Sequence, residues 1–345
     1  MARRLTQKEI AKRAGVSQAT VSLVLNGGAQ GSQRIPEETR QRIQQVIADT
    51  GYVADPVARR MVNGRNNILG VFTYEPAFPQ AQADFFAPLL FGIEAAAQER
   101  GYDLLLMTSA GKEADGSKRI FGKTSRLRIA DGCILLGRKF DADELALMVK
   151  DDFAFVAIGR RDDAGGPVPY VGADYTAATR ALVDRARSLG HRKFAYVGQS
   201  DGAESIADRW AGFGAGLAEG DQLVLHVDEV GLASDRLVDE VRISRATVVF
   251  FIELADAIPF KRAATAAGLN VPGDISIVVL GSHIRPDDTG TRFTTYSIPR
   301  EEMARKAALA LISWLEGQEH AKQTLLSCAL IDGETLGINK ETSVT

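Results

Sequence analysis

Hydrophobic and polar residues along this chain follow two different rhythms. From Thr6 to Tyr52 apolar positions recur at helical spacing in short segments, and from Ile68 onward brief apolar runs alternate with longer amphipathic ones. In the first region TQKEIAKRAG predicts a helix capped by Thr6, with Glu9 three residues on as the reciprocal partner of a capping box and Gly15 as the turn that stops it. QATVSLVLN predicts a second helix, opened by the Ser17 hydroxyl and ended near Asn26, Gly27 and Gly28. IPEETRQRIQQVIADTGY predicts a third, with Pro36 in its first turn and Ile35, Ile43, Val46 and Ile47 available to close a small core. The following VADPVARRMVNGRNN is basic, holds one proline and is too short to carry a core, so it reads as a hinge or short helix.

The second rhythm runs ILGVFTY, FFAPLLFGIEAAAQERG, YDLLLMTS and DGCILLG, then FAFVAIG, YTAATRALVDRARSLG, KFAYVGQ and RWAGFGAGLAEG. It continues through QLVLHVDEV, RATVVFFIE, FKRAATAAG and ISIVVLG. Buried strands of this length punctuated by helices specify an α/β body with largely parallel sheets. At least eight strand candidates are present, enough for two sheets, one per lobe.

Length supports that division, because 345 residues exceed what one core serves and imply at least two domains. An apolar share of 45% with 25% charged residues excludes disordered and fibrous classes. There is no continuous apolar stretch of the roughly 20 residues that would span a bilayer. The opening MARRLTQKEIAKRAG lacks the apolar middle of a signal peptide, so a cytoplasmic protein with no membrane partner is expected. Cys133 and Cys328 read as ordinary thiols, and the four histidines form no H-x-x-H or H-E-x-x-H group, so neither metal nor cofactor is expected. Charge is unevenly spread: residues 1–65 carry eleven Arg/Lys against five Asp/Glu, a net of +6, which leaves −9 of the total −3 for the rest. A basic head on an acidic body attracts a polyanion to the head alone.

LTQKEIAKRAGVSQATVSLVLNG has the spacing of a helix-turn-helix, with Ala11, Val16, Val21 and Val24 facing inward. Ser17, Gln18, Ala19, Ser22 and Leu23 are left near the outer surface, and a glutamine such as Gln18 can pair bidentately with adenine. Thr6, Glu9, Ile10, Ala11, Ala14-Gly15-Val16-Ser17, Thr20-Val21-Ser22 and Val24-Leu25-Asn26 resemble the head of the lactose, galactose and purine repressors, the LacI/GalR family. The resemblance covers nearly the whole chain. It implies that Ser17, Thr20, Ser22 and Asn26 approach phosphates, that Gln18 and Ala19 face base edges, and that Thr6 belongs to the same DNA-binding face. Leu23 stands where the family commonly has arginine, so contact with a thymine methyl replaces a guanine contact. The loop GGAQGSQR is longer than usual. In the hinge, Ala58, Arg59 and Met61 fall on the family's minor-groove helix, with Met61 as an apolar wedge, although Ala54-Asp55 replaces the usual Pro-Asn and Pro56 comes two positions late.

The body resembles the two-lobed periplasmic sugar-binding fold. The landmarks are Phe86 and Leu90 ahead of GIEAAAQERGYDLLL, ADGCILL, Asp174, LGHRKFAYVG, Arg209 in DRWAGF, and AAGLNVPGDISIV. The resemblance implies a head over 1–52, a hinge over 53–67 and an effector-binding and dimerisation domain over 68–345. Its N-lobe covers about 68–173 and its C-lobe about 174–300, and later segments cross back. It also implies that Arg209 grips ligand hydroxyls or a carboxylate in the cleft. Glu253-Leu254 replaces the usual Asn-Asp, and Val279-Leu280-Gly281-Ser282 replaces Gly-Phe-Asp-Asp, which leaves Tyr74, Phe86, Asp163, Asp174, Glu253 and His283 as further effector-binding candidates. A sugar or sugar derivative is expected as effector, with a nucleobase or other metabolite as the alternative.

Enzyme readings compete at two places. Gly212, Gly214 and Gly216 superficially suggest a phosphate loop but have no strand directly ahead and fit helix packing. Gly198-Gln199-Ser200-Asp201-Gly202 matches G-x-S-x-G after a strand, with His226, His283 and His320 downstream, and a plain loop explains it as well. His191 reads as a structural residue before a strand. An architectural DNA protein is weaker, since it has little need of a cleft. The expectation is a homodimeric regulator, a repressor and not an enzyme, on a near-palindromic operator; effector binding in the cleft alters hinge order.

Overall fold

The computed structural model describes residues 5–26, 35–52, 65–75, 83–107, 111–112, 118–121, 126–228, 232–281 and 290–340. The chain forms two compact units, Met1–Ile68 with Ile129–Asp131, and Leu69–Arg128 with Gly132–Thr345.

The first unit holds α1 (Gln7–Ala14), α2 (Gln18–Asn26) and α3 (Glu37–Thr50). The capping box is formed: the Glu9 amide donates to Thr6 Oγ1 at 3.3 Å and the Thr6 amide donates to Glu9 Oε2 at 2.8 Å. Gly15 closes α1 at φ 65°, a left-handed conformation that a side chain rarely adopts, and the Val16 amide returns to the Ala11 carbonyl at 3.0 Å. Ser17 Oγ then accepts from the Thr20 amide at 3.1 Å, which opens α2. Ile10, Ala11, Ala14, Val21, Ile43 and Tyr52 form the core, with Val16, Val24, Leu25, Val46 and Ile47 packed against it. Ile35 is buried but lies outside this cluster. Pro36 sits at the N-cap of α3, one position before the first helical residue.

The second unit begins with β1 (Ile68–Phe72), α4 (Ala83–Arg100), β2 (Asp103–Met107), β3 (Gly111–Lys112) and β4 (Lys118–Arg119). Next come β5 (Gly132–Leu135), α5 (Ala142–Lys150), β6 (Phe155–Ile158) and β7 (Tyr170–Ala173). A second run follows: α6 (Tyr175–Ser188), β8 (Lys193–Val197), α7 (Glu204–Gly216), β9 (Gln222–Val227), α8 (Ser234–Ser244), β10 (Val248–Phe251), α9 (Leu254–Ala266) and β11 (Ser276–Val279). The chain ends with β12 (Thr295–Ser297), α10 (Arg300–Leu315), β13 (Gln323–Leu326) and β14 (Ala329–Ile331).

Two large sheets result, one ordered β13-β7-β6-β5-β1-β2 and the other β11-β10-β8-β9, beside the two-stranded pairs β12-β14 and β3-β4 among the described residues. Pairings β1/β5, β5/β6, β6/β7 and β7/β13 are parallel, as are β8/β9, β8/β10 and β10/β11. All eight expected strands are present. β7 and β13 were not expected, because neither is a continuous apolar run: Gly172 interrupts YVGA, and QTLL opens with two polar residues. After β11 the chain returns to the first lobe, where α10 packs on α4, β5, β6 and β7, and β13 extends the sheet at β7. Among the described residues no helix is long and apolar enough to cross a membrane, and no group of three acidic, His or Cys side chains is placed to hold a metal ion.

Candidate functional site

Within the first unit, packing decides which side of α2 stays outside. Val21 is fully buried and Val24 and Leu25 lean on the same core, so Ser17, Gln18 and Ala19 remain exposed, as does Leu23 at 39%. Thr20 and Ser22 lie half-buried beside them, and Ser17 Oγ and Thr20 Oγ1 stand 2.8 Å apart. Arg42 Nε donates to the Ala14 carbonyl at 3.0 Å, which ties α3 to the end of α1 and supplies a cation at that helix terminus. The result is a short helix held on its inner side by apolar contacts, with a polar, uncharged outer edge flanked by exposed Lys12 and Arg13. An edge of that kind fits a major groove, where amide and methyl groups read base edges.

Within the second unit, a cavity of about 190 Å³ lies where the carboxyl ends of both parallel sheets meet. Parallel sheets place binding loops at that end. Gly137 and Arg138 follow β5, Gly159, Arg160 and Arg161 follow β6, Ile252 and Glu253 follow β10, and Leu280 and Gly281 follow β11. Phe85, Leu89, Tyr175, Ile298 and Met303 supply apolar surface.

Arg209 is the deepest charge, 8% exposed. Its Nε donates to the Leu280 carbonyl at 2.8 Å and to Tyr296 Oη at 3.1 Å, its Nη1 donates to the Ser205 carbonyl at 2.7 Å, and the guanidinium lies 4.0 Å from the Tyr175 ring centroid. Burial works against its charge, but Tyr296, Tyr175 and Glu253 outweigh burial and hold its pKa above the ordinary arginine value. On the facing wall Arg160 Nε contacts both Asp208 carboxylate oxygens at 2.9 Å, and this pairing raises its pKa. Arg161, 4% exposed, donates to Glu204 Oε2 at 3.0 Å, and burial lowers its pKa.

Residues 6–55 match the family described as bacterial regulatory proteins, lacI family, and residues 183–336 match the periplasmic binding protein-like domain. The chain belongs to the lacI family. It is a DNA-binding transcriptional regulator with a helix-turn-helix head and a periplasmic-binding-protein-like body. Among relatives, the HTH-type transcriptional regulator CelR of Thermobifida fusca is 27% identical over 328 residues, covering 92% of this chain and 93% of CelR. Catabolite control protein A of Staphylococcus xylosus is 26% identical, covering 79% of this chain and 81% of that protein. The lac repressor dimer bound to operator and the anti-inducer ONPF shares the fold at a TM-score of 0.75 and 19% identity, over 97% of this chain and all of that one. The CelR–cellobiose complex does so at 0.62 and 22% identity, over 96% of this chain.

Of the effector positions expected for this lacI-family body, Arg209 and Glu253 line the cavity. Phe86 does not: it is 1% exposed in the core, and its neighbour Phe85 takes the cleft instead, a correction of one residue caused by the 100° turn between successive helix positions. Asp174 is corrected to a structural role, because its Oδ1 caps α6 by accepting from the Ala177 amide at 2.9 Å. Asp163 is exposed outside the cavity and accepts from Gln323 Nε2 at 3.2 Å. Tyr74 also lies outside, edge-on to Phe72 and Phe140 at 4.8 and 5.2 Å. His283, the hinge residues Ala58, Arg59 and Met61, the loop GGAQGSQR and the Asn26 side chain fall outside the described residues. Sequence reading missed Arg138, Arg160, Arg161 and Arg300. The available signal was their position just after an apolar strand or at a helix start.

The enzyme-like motifs resolve into structure. Gly212 and Gly216 lie on α7 against α6, where a Cβ at Gly212 would strike the Thr176 backbone and one at Gly216 would stand 2.6 Å from Val183 Cβ. Ser200 sits in the loop after β8, and among the described residues it makes no hydrogen bond to a histidine; His226 Nε2 instead bonds the Gly198 carbonyl at 3.1 Å while its ring stacks on Trp210. His191 bridges Thr247 Oγ1 and the Gly337 carbonyl, at 2.9 and 3.0 Å, as a buried structural group. Cys133 and Cys328 are free thiols, and burial pushes the Cys328 pKa up to about 11.

Proposed function

We propose that this protein is a ligand-controlled repressor, not an enzyme, that binds a near-palindromic operator as a homodimer and senses a small sugar or sugar derivative in its cleft. Two copies of the head present two α2 edges to successive major grooves, in which Gln18, Ala19 and Leu23 read bases, Ser17, Thr20, Ser22 and Asn26 hold phosphates, and Thr6 lies on the same DNA-binding face. Arg59 and Met61 serve the minor groove from the hinge, and the domains divide at about residues 52 and 67. A dimer fits the symmetry of such an operator, and the lac repressor of similar fold was seen as a dimer on its operator. Acting on DNA, the protein works in the cytoplasm.

The observation that carries the ligand reading is Arg209. Its Nε and Nη1 are fixed on main-chain and phenol oxygens, so its fork is preorganised, and among the described residues its Nη2 has no acceptor. The CelR–cellobiose complex shows a protein of this fold with a sugar bound. A ligand that prefers one lobe arrangement shifts DNA affinity by its differential affinity for the two states. The test combines a thermal-shift screen of sugars and sugar derivatives with operator binding followed by fluorescence anisotropy. A hit that raises the melting temperature and releases operator supports the reading. Operator binding unchanged by every hit would remove the control function.

A further inference from the structure

Opposite charges on the rim of the cleft belong to opposite lobes. Arg138 follows β5 and Arg160 and Arg161 follow β6, all from the first sheet, while Glu204 and Asp208 lie on α7 and Glu253 follows β10, all from the second. Arg160 Nε meets both Asp208 carboxylate oxygens at 2.9 Å, Arg161 Nη1 donates to Glu204 Oε2 at 3.0 Å, and Arg138 stands 3.5 Å from Glu253. Glu204 and Asp208 are one helical turn apart, so a single edge of α7 meets two successive residues of the facing lobe. Beside them, Lys139 Nζ lies 3.7 Å from the position that a Cβ would take at Gly202, in the loop between β8 and α7.

The partners are also fixed within their own lobes. Arg161 donates to the carbonyls of Gly137 and Arg160 and lies 5.1 Å from the Phe140 ring centroid, and Arg160 Nη1 donates to Asp162 Oδ1. Across the cleft the Asp208 carbonyl accepts from Thr176 Oγ1 at 3.2 Å, and α7 is braced on the second sheet through Arg209. Groups held in this way lose little side-chain freedom on pairing, which is what weakens most ion pairs. Arg160 and Asp208 are 24% and 14% exposed, so water and salt screen them less than Arg138 and Glu253 at 54% and 42%. The two pairs on α7 therefore carry most of the attraction, and opening the cleft breaks both at once.

We infer that the pairs Arg160 with Asp208 and Arg161 with Glu204 form a latch between the lobes, and that this latch holds the body in its operator-binding arrangement until an effector shifts it. Every atom of the latch belongs to the protein, so its contribution to lobe arrangement needs no ligand. The sign of its effect on DNA rests on the reading of the protein as a repressor released by its ligand; the latch itself does not. An effector then acts by favouring a lobe arrangement in which these pairs part, and its differential affinity for that arrangement must exceed their strength.

Cross-linking across the rim tests the latch. Lys139→Cys and Asp201→Cys place thiols on the two exposed rims of the full chain, in a Cys328→Ser background where the remaining Cys133 is buried. A short bis-maleimide should join them within one chain, and Arg160→Gln or Asp208→Asn should slow that reaction by about threefold or more, with the double variant no slower than either single one. The same single variants should weaken operator binding, followed by fluorescence anisotropy without sugar, by about threefold or more. Melting curves check that each variant is folded, and if Arg160→Gln is not, Glu204→Gln tests the neighbouring pair by the same two readouts. Unchanged cross-linking in folded variants overturns the latch. So does an additive loss in the double variant, since the two residues then act separately. Slower cross-linking with operator affinity unchanged or raised keeps the latch and overturns its stated control of DNA. A parent protein that binds no palindromic DNA overturns the repressor reading, and cross-linking still decides the latch.

Discussion

Arg209 Nε donates to the Leu280 carbonyl oxygen at 2.8 Å, joining α7 to the residue that follows β11. The same group therefore braces the second sheet and presents a guanidinium to the cleft. Arg209→Ala should abolish effector binding and also lower stability by about 1–3 kcal/mol, since buried acceptors lose a charged donor. Arg209→Lys should recover part of the stability and little of the affinity, because an ammonium lacks the fork. Calorimetric melting beside ligand titration separates the two effects; equal loss of affinity and stability in both variants would argue for a purely structural arginine.

Gln18 is exposed on α2 with no part in the head core. Gln18→Ala should leave the melting temperature unchanged and cost about 1–3 kcal/mol of discrimination at one adenine per half-site. Anisotropy titrations against operator variants check this. A uniform loss across all sequences would instead make Gln18 a phosphate contact.

His191 gives stability a pH dependence of known sign. Burial lowers its pKa from the ordinary 6.5, against the Gly337 carbonyl that favours the proton. The unfolded chain therefore takes up a proton at a higher pH than the folded one, so the contribution is intact above pH 6.5 and falls as pH drops toward the lower folded value. Melting curves between about pH 7.5 and 5.5 should show this loss, and His191→Gln should flatten it. A slope of the same size in the variant would assign the titration elsewhere.

Two glycines on one helix should respond in opposite directions. Gly212→Ala forces a methyl into the Thr176 backbone and should destabilise by about 1–3 kcal/mol. Gly214 has nothing within 4 Å of the Cβ position, and Gly214→Ala should stabilise by about 0.5–1 kcal/mol through helix propensity. Denaturant midpoints measure both, and a stabilising Gly212→Ala would mean that α6 and α7 do not pack this closely.

Much of the head was legible in sequence because its determinants are local. The capping pair Thr6 and Glu9, the turn at Gly15 and the cap at Ser17 each act within four residues, and the helical period fixes which α2 positions face outward. The body was legible as alternating strands and helices for the same reason. β7 and β13 escaped notice because a short strand is specified by its neighbours in the sheet and hardly at all by its own pattern.

The cleft was mostly illegible. Phe85 and Phe86 are adjacent and chemically identical, and only the docking of α4 decides that Phe86 fills the core while Phe85 faces the cavity. Asp174 resembled a ligand partner until its carboxylate was seen capping a helix. Local chemistry along the chain thus determined the two-part plan and which edge of α2 stays exposed, whereas Arg209 was marked by the family resemblance alone. Only tertiary structure decided which arginines meet a carboxylate and which meet carbonyl and phenol oxygens, since Arg160 meets Asp208 from 48 positions away and Arg209 meets Leu280 from 71. Such encounters depend on how sheets and helices pack, and no spacing within a single segment encodes them.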